Sequence, residues 1–138
     1  MATTLEAALA RYPGAQCFRF GDGPGLCADL LDLVRRGTKT ATCGALRDYE
    51  AGAEALPEPG RIDIALHWDG TPALAIETTE VTQRRFDAVD ADFALAEGED
   101  DSLAGWQEGH RRYFERNGGW SPDMMLVCER FRLVEVFA

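Results

Sequence analysis

The chain has 138 residues, 46% of them hydrophobic, with 14 basic against 24 acidic side chains and a net charge of −10. That length predicts one domain burying roughly two-thirds of the surface its unfolded form exposes, with no second core. The negative balance speaks against diffuse attraction to an extended polyanion or an anionic membrane, and no apolar run approaches the ~20 residues that span a bilayer.

The N-terminal segment Met1-Ala2-Thr3-Thr4-Leu5-Glu6 lacks the basic-then-apolar pattern of a secretory leader, so a cytoplasmic setting is expected. Thr3 to Tyr12 reads as a short helix stopped by Pro13-Gly14, with residues 1–17 forming an N-terminal extension of the single domain. From Gly25 to Arg36, Leu26, Leu30, Leu33 and Val34 share one helical face, and Gly37 takes the C-terminal cap position. Lys39 to Cys43 follows as a short strand or a turn. Extended, it sends Lys39, Ala41 and Cys43 to one face and Thr40 and Thr42 to the other; a tight turn instead lets Lys39 and Thr42 converge.

Between Arg61 and Gln83 the alternation of Ile62, Ile64 and Leu66, then Leu74 and Ile76, predicts a β-hairpin. A two-residue loop at Asp69-Gly70 pairs Ile64 with Ala75. A three-residue loop, Trp68-Asp69-Gly70 with Gly70 left-handed, pairs Ile64 with Leu74 and gathers the aliphatic side chains, and is preferred. Arg85 to Asp92 carries little signal. Ser102 to Asn117 reads as a helix with Leu103, Trp106, His110, Tyr113 and Phe114 on one face, capped by Ser102 and Gly118. Met124 to Phe137 closes the chain as a long strand, buried on both faces towards its end. Strands interrupted by helices predict an α+β fold with a small, mostly antiparallel barrel.

Thirteen of the 14 basic residues are Arg, and Lys39 is the only lysine. An ammonium can lose its proton when desolvated and a guanidinium cannot, so a base or compact proton donor must be Lys. Three threonines and a thiol surround it in Gly37-Thr38-Lys39-Thr40-Ala41-Thr42-Cys43. A hydroxyl needs a neighbouring base to act as a nucleophile, which such a lysine provides. In Ala96-Glu97-Gly98-Glu99-Asp100-Asp101-Ser102, Asp100 and Asp101 suit the helix N-terminus through its dipole, whereas Glu97 and Glu99 lie further away and can fold back to orient Lys39 or hold a divalent ion. His110, alone on an apolar face, reads first as a hydrogen-bonded core residue, and Trp106 as core. Cys17, Cys27, Cys43 and Cys128 form no C-x-x-C pair and read as free thiols without structural zinc.

Taken in order, Phe20-Gly21-Asp22, Gly37-x-Lys39-x-x-Thr42, Pro59-Gly60, Glu97-Gly98-Glu99 with Trp106 and His110, and Cys128-Glu129-x-Phe131 resemble the ASCH domain family, relatives of the PUA domains, from about Phe18 to Val136. The resemblance implies a PUA-like barrel of five or six strands flanked by helices, with a pocket for a nucleoside or nucleotide. Its members are associated with RNA binding, with hydrolysis of the amide of N4-acetylcytidine and, in longer relatives, with metal-assisted cleavage of single-stranded RNA. The amide-hydrolase pattern places its lysine on Lys39, its threonine on Thr42 and its glutamate on Glu99, which makes these three the expected catalytic residues. The pattern's arginine falls on Gly44, with Arg47 as a replacement. Thr40, Arg47, Trp68, Glu97, Trp120 and Ser121 are the expected substrate-binding residues.

The leading expectation is therefore hydrolysis of an exocyclic amide on a nucleoside or RNA nucleotide without cofactor or metal. In it Lys39 takes the proton of Thr42 and lies within ~4 Å of Glu99. The alternatives are metal-assisted cleavage of single-stranded RNA, with the ion on Glu97 and Glu99, and a non-catalytic RNA or nucleotide reader.

Overall fold

The computed structural model describes residues 3–52 and 54–138, so the part of the leader reading that rests on Met1 and Ala2 lies outside it. Helix α1, Leu5–Arg11, starts where the Thr4 hydroxyl accepts from the Ala7 amide. The short strand β1, Gln16–Phe18, leads to helix α2, Pro24–Arg35, whose Cys27, Leu30, Leu31 and Val34 are buried. Strand β2, Ala41–Ala45, runs directly into the short helix α3, Leu46–Glu50. The hairpin consists of β3, Ile62–Leu66, and β4, Pro72–Arg85. A 3-10 turn at Phe86–Ala88 and helix α4, Ala91–Ala96, fill the stretch that carried little sequence signal. Helix α5, Leu103–Arg116, is capped by the Ser102 hydroxyl, and β5, Met125–Val136, ends the chain.

The strands form one sheet in the order β1-β3-β4-β5-β2. Only the β1–β3 pairing is parallel. The edge strands β1 and β2 line the same cavity without pairing, so the α+β, PUA-like fold is a curled half-barrel. Helix α2 packs its apolar face on Ala65, Leu74, Ile76 and Phe131, while Trp106 and Phe114 of α5 join Phe86, Phe93, Leu126 and Cys128 in a second cluster. Burying a side chain such as Leu31 or Leu126 contributes about 1.5–3 kcal/mol.

Two expectations need correction. The hairpin loop is the three-residue Trp68-Asp69-Gly70, with Gly70 at φ 93° and His67 N–H donating to the Thr71 carbonyl. A bulge opposite Ala65–Leu66 then shifts the register by one, so Ile64 pairs with Ala75 rather than Leu74. Splitting the aliphatic residues is tolerated because both faces are covered: Ile64 and Leu66 pack on Ala8, while Ala65, Leu74 and Ile76 pack under α2. Strand β5 is buried on both faces near its beginning, at Leu126, Val127 and Cys128, and opens towards its end. There β2 has already ended its pairing at Ala41 opposite Arg130.

Candidate functional site

Helix α2 delivers Lys39. Gly37, at φ 78°, reverses the chain, and the amides of Thr38 and Lys39 both donate to the Leu33 carbonyl. The next residue is fixed from two sides, because Thr40 N–H donates to Ala96 O at the end of α4 and Thr40 O accepts from Phe131 N–H of β5. This anchoring aims Lys39 at the turn after α4, where Glu97 and Glu99 flank Gly98. Gly98 has φ 74°, and a Cβ there would lie 2.5 Å from the Thr38 carbonyl oxygen and 2.9 Å from Lys39 Cα. Only glycine allows the acidic turn to sit this close to the lysine.

Lys39 is 1% exposed. Its Nζ donates to Glu99 Oε2 at 2.8 Å, Glu97 Oε1 at 3.1 Å and the Glu97 carbonyl at 3.3 Å, which uses all three ammonium protons. Glu97 is equally buried and equally satisfied: Trp106 Nε1 donates to its Oε2 at 2.7 Å and His110 Nε2 lies 3.4 Å from the same oxygen. The His110 ring stacks on Trp106 at a centroid distance of 4.3 Å, with Nδ1 donating to the Trp106 carbonyl at 2.9 Å. Cys43 completes the cluster, its thiol within 4.8 Å of the nearby Glu97 and His110 ligand atoms.

Burial opposes charge throughout this cluster, and the local partners decide the outcome. Desolvation lowers the proton affinity of Lys39, but Glu97 and then Glu99 outweigh it and raise its pKa. Desolvation favours neutral Glu97, and Lys39 and His110 reverse that to hold it far below the usual carboxylate range. His110 is raised in the same way, against desolvation, by Glu97. Burial pushes the Cys43 thiol well up. A deprotonated Lys39 base is therefore disfavoured: the partners that hold the lysine also hold its proton.

Two adjoining cavities that share wall residues lie against this cluster. One, about 400 Å³, lies inside the half-barrel between the edges β1 and β2. The other, about 350 Å³, lies between α2 and α5 and is lined by Glu97, Glu99 and His110. Both are lined by Phe20, Thr42, Cys43, Tyr113 and Phe114, and volumes of this size suit a small-molecule ligand. Thr42 thus stands on the shared wall. Residues 41–45 form a strand rather than a turn, so Lys39 approaches that wall through Glu99 and no direct Lys39–Thr42 hydrogen bond forms.

The other expected binding residues divide. Glu97 is at the centre of the cluster. Thr40 is exposed and its hydroxyl donates to Ala96 O. Arg47 does not replace the missing arginine, because its guanidinium donates to the carbonyls of Asn117 and Gly119. A side chain at Gly44 would instead meet Tyr49, whose hydroxyl lies 3.2 Å from the position of a Cβ. Trp68 stands at the hairpin tip, 42% exposed, beneath Arg19, and lines neither cavity. Trp120 is committed to the core edge-on against Phe86, and Ser121 to a turn through Asp123. The aromatic lining comes from Phe18, Phe20, Tyr49, Tyr113 and Phe114.

His110, Cys43 and Glu129 are not among the expected catalytic or binding residues, and His110 is the hydrogen-bonded core residue its apolar helical face predicts. The alternation that placed Cys43 on the face of Lys39 was the available signal for the thiol, and the helical face shared with Trp106 was the signal for His110.

Cys43, Glu97 and His110 form a donor set of the kind that binds zinc. It does not fit an ion here, since both Glu97 oxygens are engaged and the thiol holds its proton. The expected ion between Glu97 and Glu99 meets the same obstacle: the Lys39 ammonium occupies that place. Among the described residues no helix is long and apolar enough to cross a membrane.

The family model described as "ASCH domain" matches residues 16–135. A crystal structure of an ASCH domain from Lactobacillus crispatus JV V101 is 34% identical, covers 95% of this chain and 86% of its own, and superposes with a TM-score of 0.80. The crystal structure of an Enterococcus faecalis V583 protein, described by the family model DUF984, is 33% identical over 96% of this chain and 86% of its own, with a TM-score of 0.84. No curated protein matches.

Proposed function

The chain belongs to the ASCH domain family, and on that premise we propose that it binds a nucleoside-sized ligand in the paired cavities and hydrolyses an exocyclic amide such as that of N4-acetylcytidine. The observation that carries the reading is the Lys39–Glu99 pair at 2.8 Å, closed off on the Lys39 side and facing the cavity that Thr42 lines.

In this reading Lys39 is a positioning residue. It engages Glu99 Oε2 and leaves Oε1 without a hydrogen-bond partner among the described residues. That oxygen takes the proton of the Thr42 hydroxyl as Thr42 attacks the amide carbonyl. The C–N bond then breaks, the departing amine takes the proton back from Glu99, and the acyl group stays on Thr42. A water, deprotonated by Glu99, releases the acid and restores the threonine. His110 and Trp106 hold Glu97, and Glu97 holds Lys39. Four free cysteines, including the cross-strand neighbours Cys43 and Cys128, suit the cytoplasmic setting that belongs to this reading.

The test is cytidine release from N4-acetylcytidine by the purified protein. Wild type is expected to turn over, Thr42→Ala to lose turnover, and Glu99→Gln to fall by about 10²–10⁴-fold. Absence of release by wild type, or an unchanged rate in Thr42→Ala, overturns the hydrolase. A second reading, ligand binding without turnover, is favoured by the saturation of Lys39 and Glu97, which a structural cluster explains equally well; cytidine binding without release selects it. Single-stranded RNA is the least favoured ligand because the cavity walls are acidic.

A further inference from the structure

Glu129 lies on β5 directly opposite Thr42 on β2, so the two side chains share a face and stand as cross-strand neighbours. It lines the half-barrel cavity and is only 8% exposed. Thr78 donates to its Oε2 at 2.6 Å. Its Oε1 has no hydrogen-bond partner among the described residues and is not sealed away from the cavity.

The surroundings withhold compensation from this carboxyl. Burial raises its pKa, the Thr78 hydrogen bond opposes, and Asp63 raises it further. Glu54 adds to the rise, Arg61 counteracts it, and the Tyr49 phenol faces the same side. Arg61 is itself spent on Asp63 at 2.8 Å and on the Leu56 carbonyl. An N–H donor brought by a ligand would supply what the fold does not.

Among the described residues each cation on these walls already has a partner, and Arg19, which spends only its Nε and meets no carboxylate, is the least committed. Arg19 donates to the Trp68 carbonyl and lies over its ring. Arg116, on the wall of the adjoining cavity, is held by Asp22 at 2.6 Å. Lys39 has no proton left to give. Against these stand Asp48, Glu54, Asp63 and Glu129 in one cavity and Asp29, Glu97, Glu99 and Asp100 in the other. Phosphate recognition needs uncommitted Arg or Lys donors.

We propose that the half-barrel cavity is a subsite for an uncharged, N–H-bearing nucleobase or nucleoside, read by the unpaired oxygen of Glu129, and that its acidic walls reject the phosphorylated forms of the same ligand. This rests on the nucleoside reading above and narrows it.

Calorimetric titration with cytidine and with cytidine 5′-monophosphate tests it, on wild type, Glu129→Ala and Glu129→Gln. Cytidine is expected to bind wild type at least about tenfold more tightly than the monophosphate at low salt, with the gap narrowing at high salt. Glu129→Ala is expected to weaken cytidine by about tenfold or more. Glu129→Gln preserves volume and the Thr78 contact, and is expected to narrow the penalty against the monophosphate, an effect that loss of fold does not produce.

Equal binding of the two ligands by wild type overturns the rejection of phosphate. Unchanged cytidine affinity in Glu129→Ala, or an unchanged penalty in Glu129→Gln, overturns the role of Glu129 while leaving the nucleoside reading standing. Absence of cytidine binding by wild type overturns both.

Discussion

Glu97 and Glu129 are both buried glutamates, 1% and 8% exposed, and they are driven in opposite directions. Glu97 is ionised because Lys39, Trp106 and His110 meet its two oxygens, and Glu129 is raised because only Thr78 meets one of its own. Burial sets the size of the electrostatic stake, and the donors decide its sign. A carboxylate whose hydrogen bonds are complete belongs to the scaffold. One left with an open oxygen on a cavity is available to a ligand.

The severest way to break this contrast is to give Glu97 the deficit of Glu129. Lys39→Met leaves Glu97 buried without its cation and is expected to destabilise the protein by about 3–5 kcal/mol, read as a fall in the urea midpoint with little change in slope. A change within experimental error shows instead that water or His110 takes over the compensation.

Moving the turn rather than removing the charge gives a smaller effect. Gly98→Ala places a Cβ against the Thr38 carbonyl in a left-handed backbone and is expected to cost about 1–3 kcal/mol, with loss of amide hydrolysis because Glu99 is pushed away from Lys39. Thermal unfolding and the turnover assay check the two halves separately, and a stable Gly98→Ala protein with full turnover removes the turn from the mechanism.

The smallest expected effect is on pH dependence and has opposite signs at the two residues. Glu97 has its pKa lowered, so its contribution is present above the ordinary carboxylate value of about 4.3 and is lost as pH falls through the folded value. Glu129 has its pKa raised, so the wild-type residue is best tolerated below about 4.3 and becomes a burden as pH rises through its folded value. Glu129→Gln is therefore expected to unfold at a higher denaturant concentration than wild type near neutral pH, with the advantage closing in acid. Glu97→Gln is expected to be destabilised near neutral pH, with its deficit closing in acid. Parallel curves for the two variants mean that the contrast is not electrostatic.

Local sequence determined much of this protein. The helix of Leu26, Leu30, Leu33 and Val34, its Gly37 cap, the left-handed Gly70, the Ser102 cap and the Trp106 face all follow from spacing and backbone preference, which act over a few residues. The unusual status of Lys39 was legible because it has no competitor of its type, and resemblance brought Thr42 and Glu99 to its side. Helix α4 was not legible, since six residues hold no helical period; its stability comes from Phe93 and Ala94 entering the core. Nor was the hairpin register, which a single bulge reverses without any change of composition.

The tertiary structure alone decided how each charge is compensated. Glu97, Glu99 and Glu129 are the same residue type, and whether one is saturated by a lysine, an indole and a histidine, holds that lysine with one oxygen, or is left open on a cavity depends on Lys39 before β2, Thr78 of β4, and Trp106 and His110 of α5, which the fold brings to it. It likewise kept Trp68, Trp120 and Arg47 off the walls of both cavities and put Tyr49 and Glu129 on the wall of one. Composition and periodicity fix which groups a chain can offer and which face they leave from. Desolvation and hydrogen-bond completion depend on the three-dimensional neighbours that fold up around them.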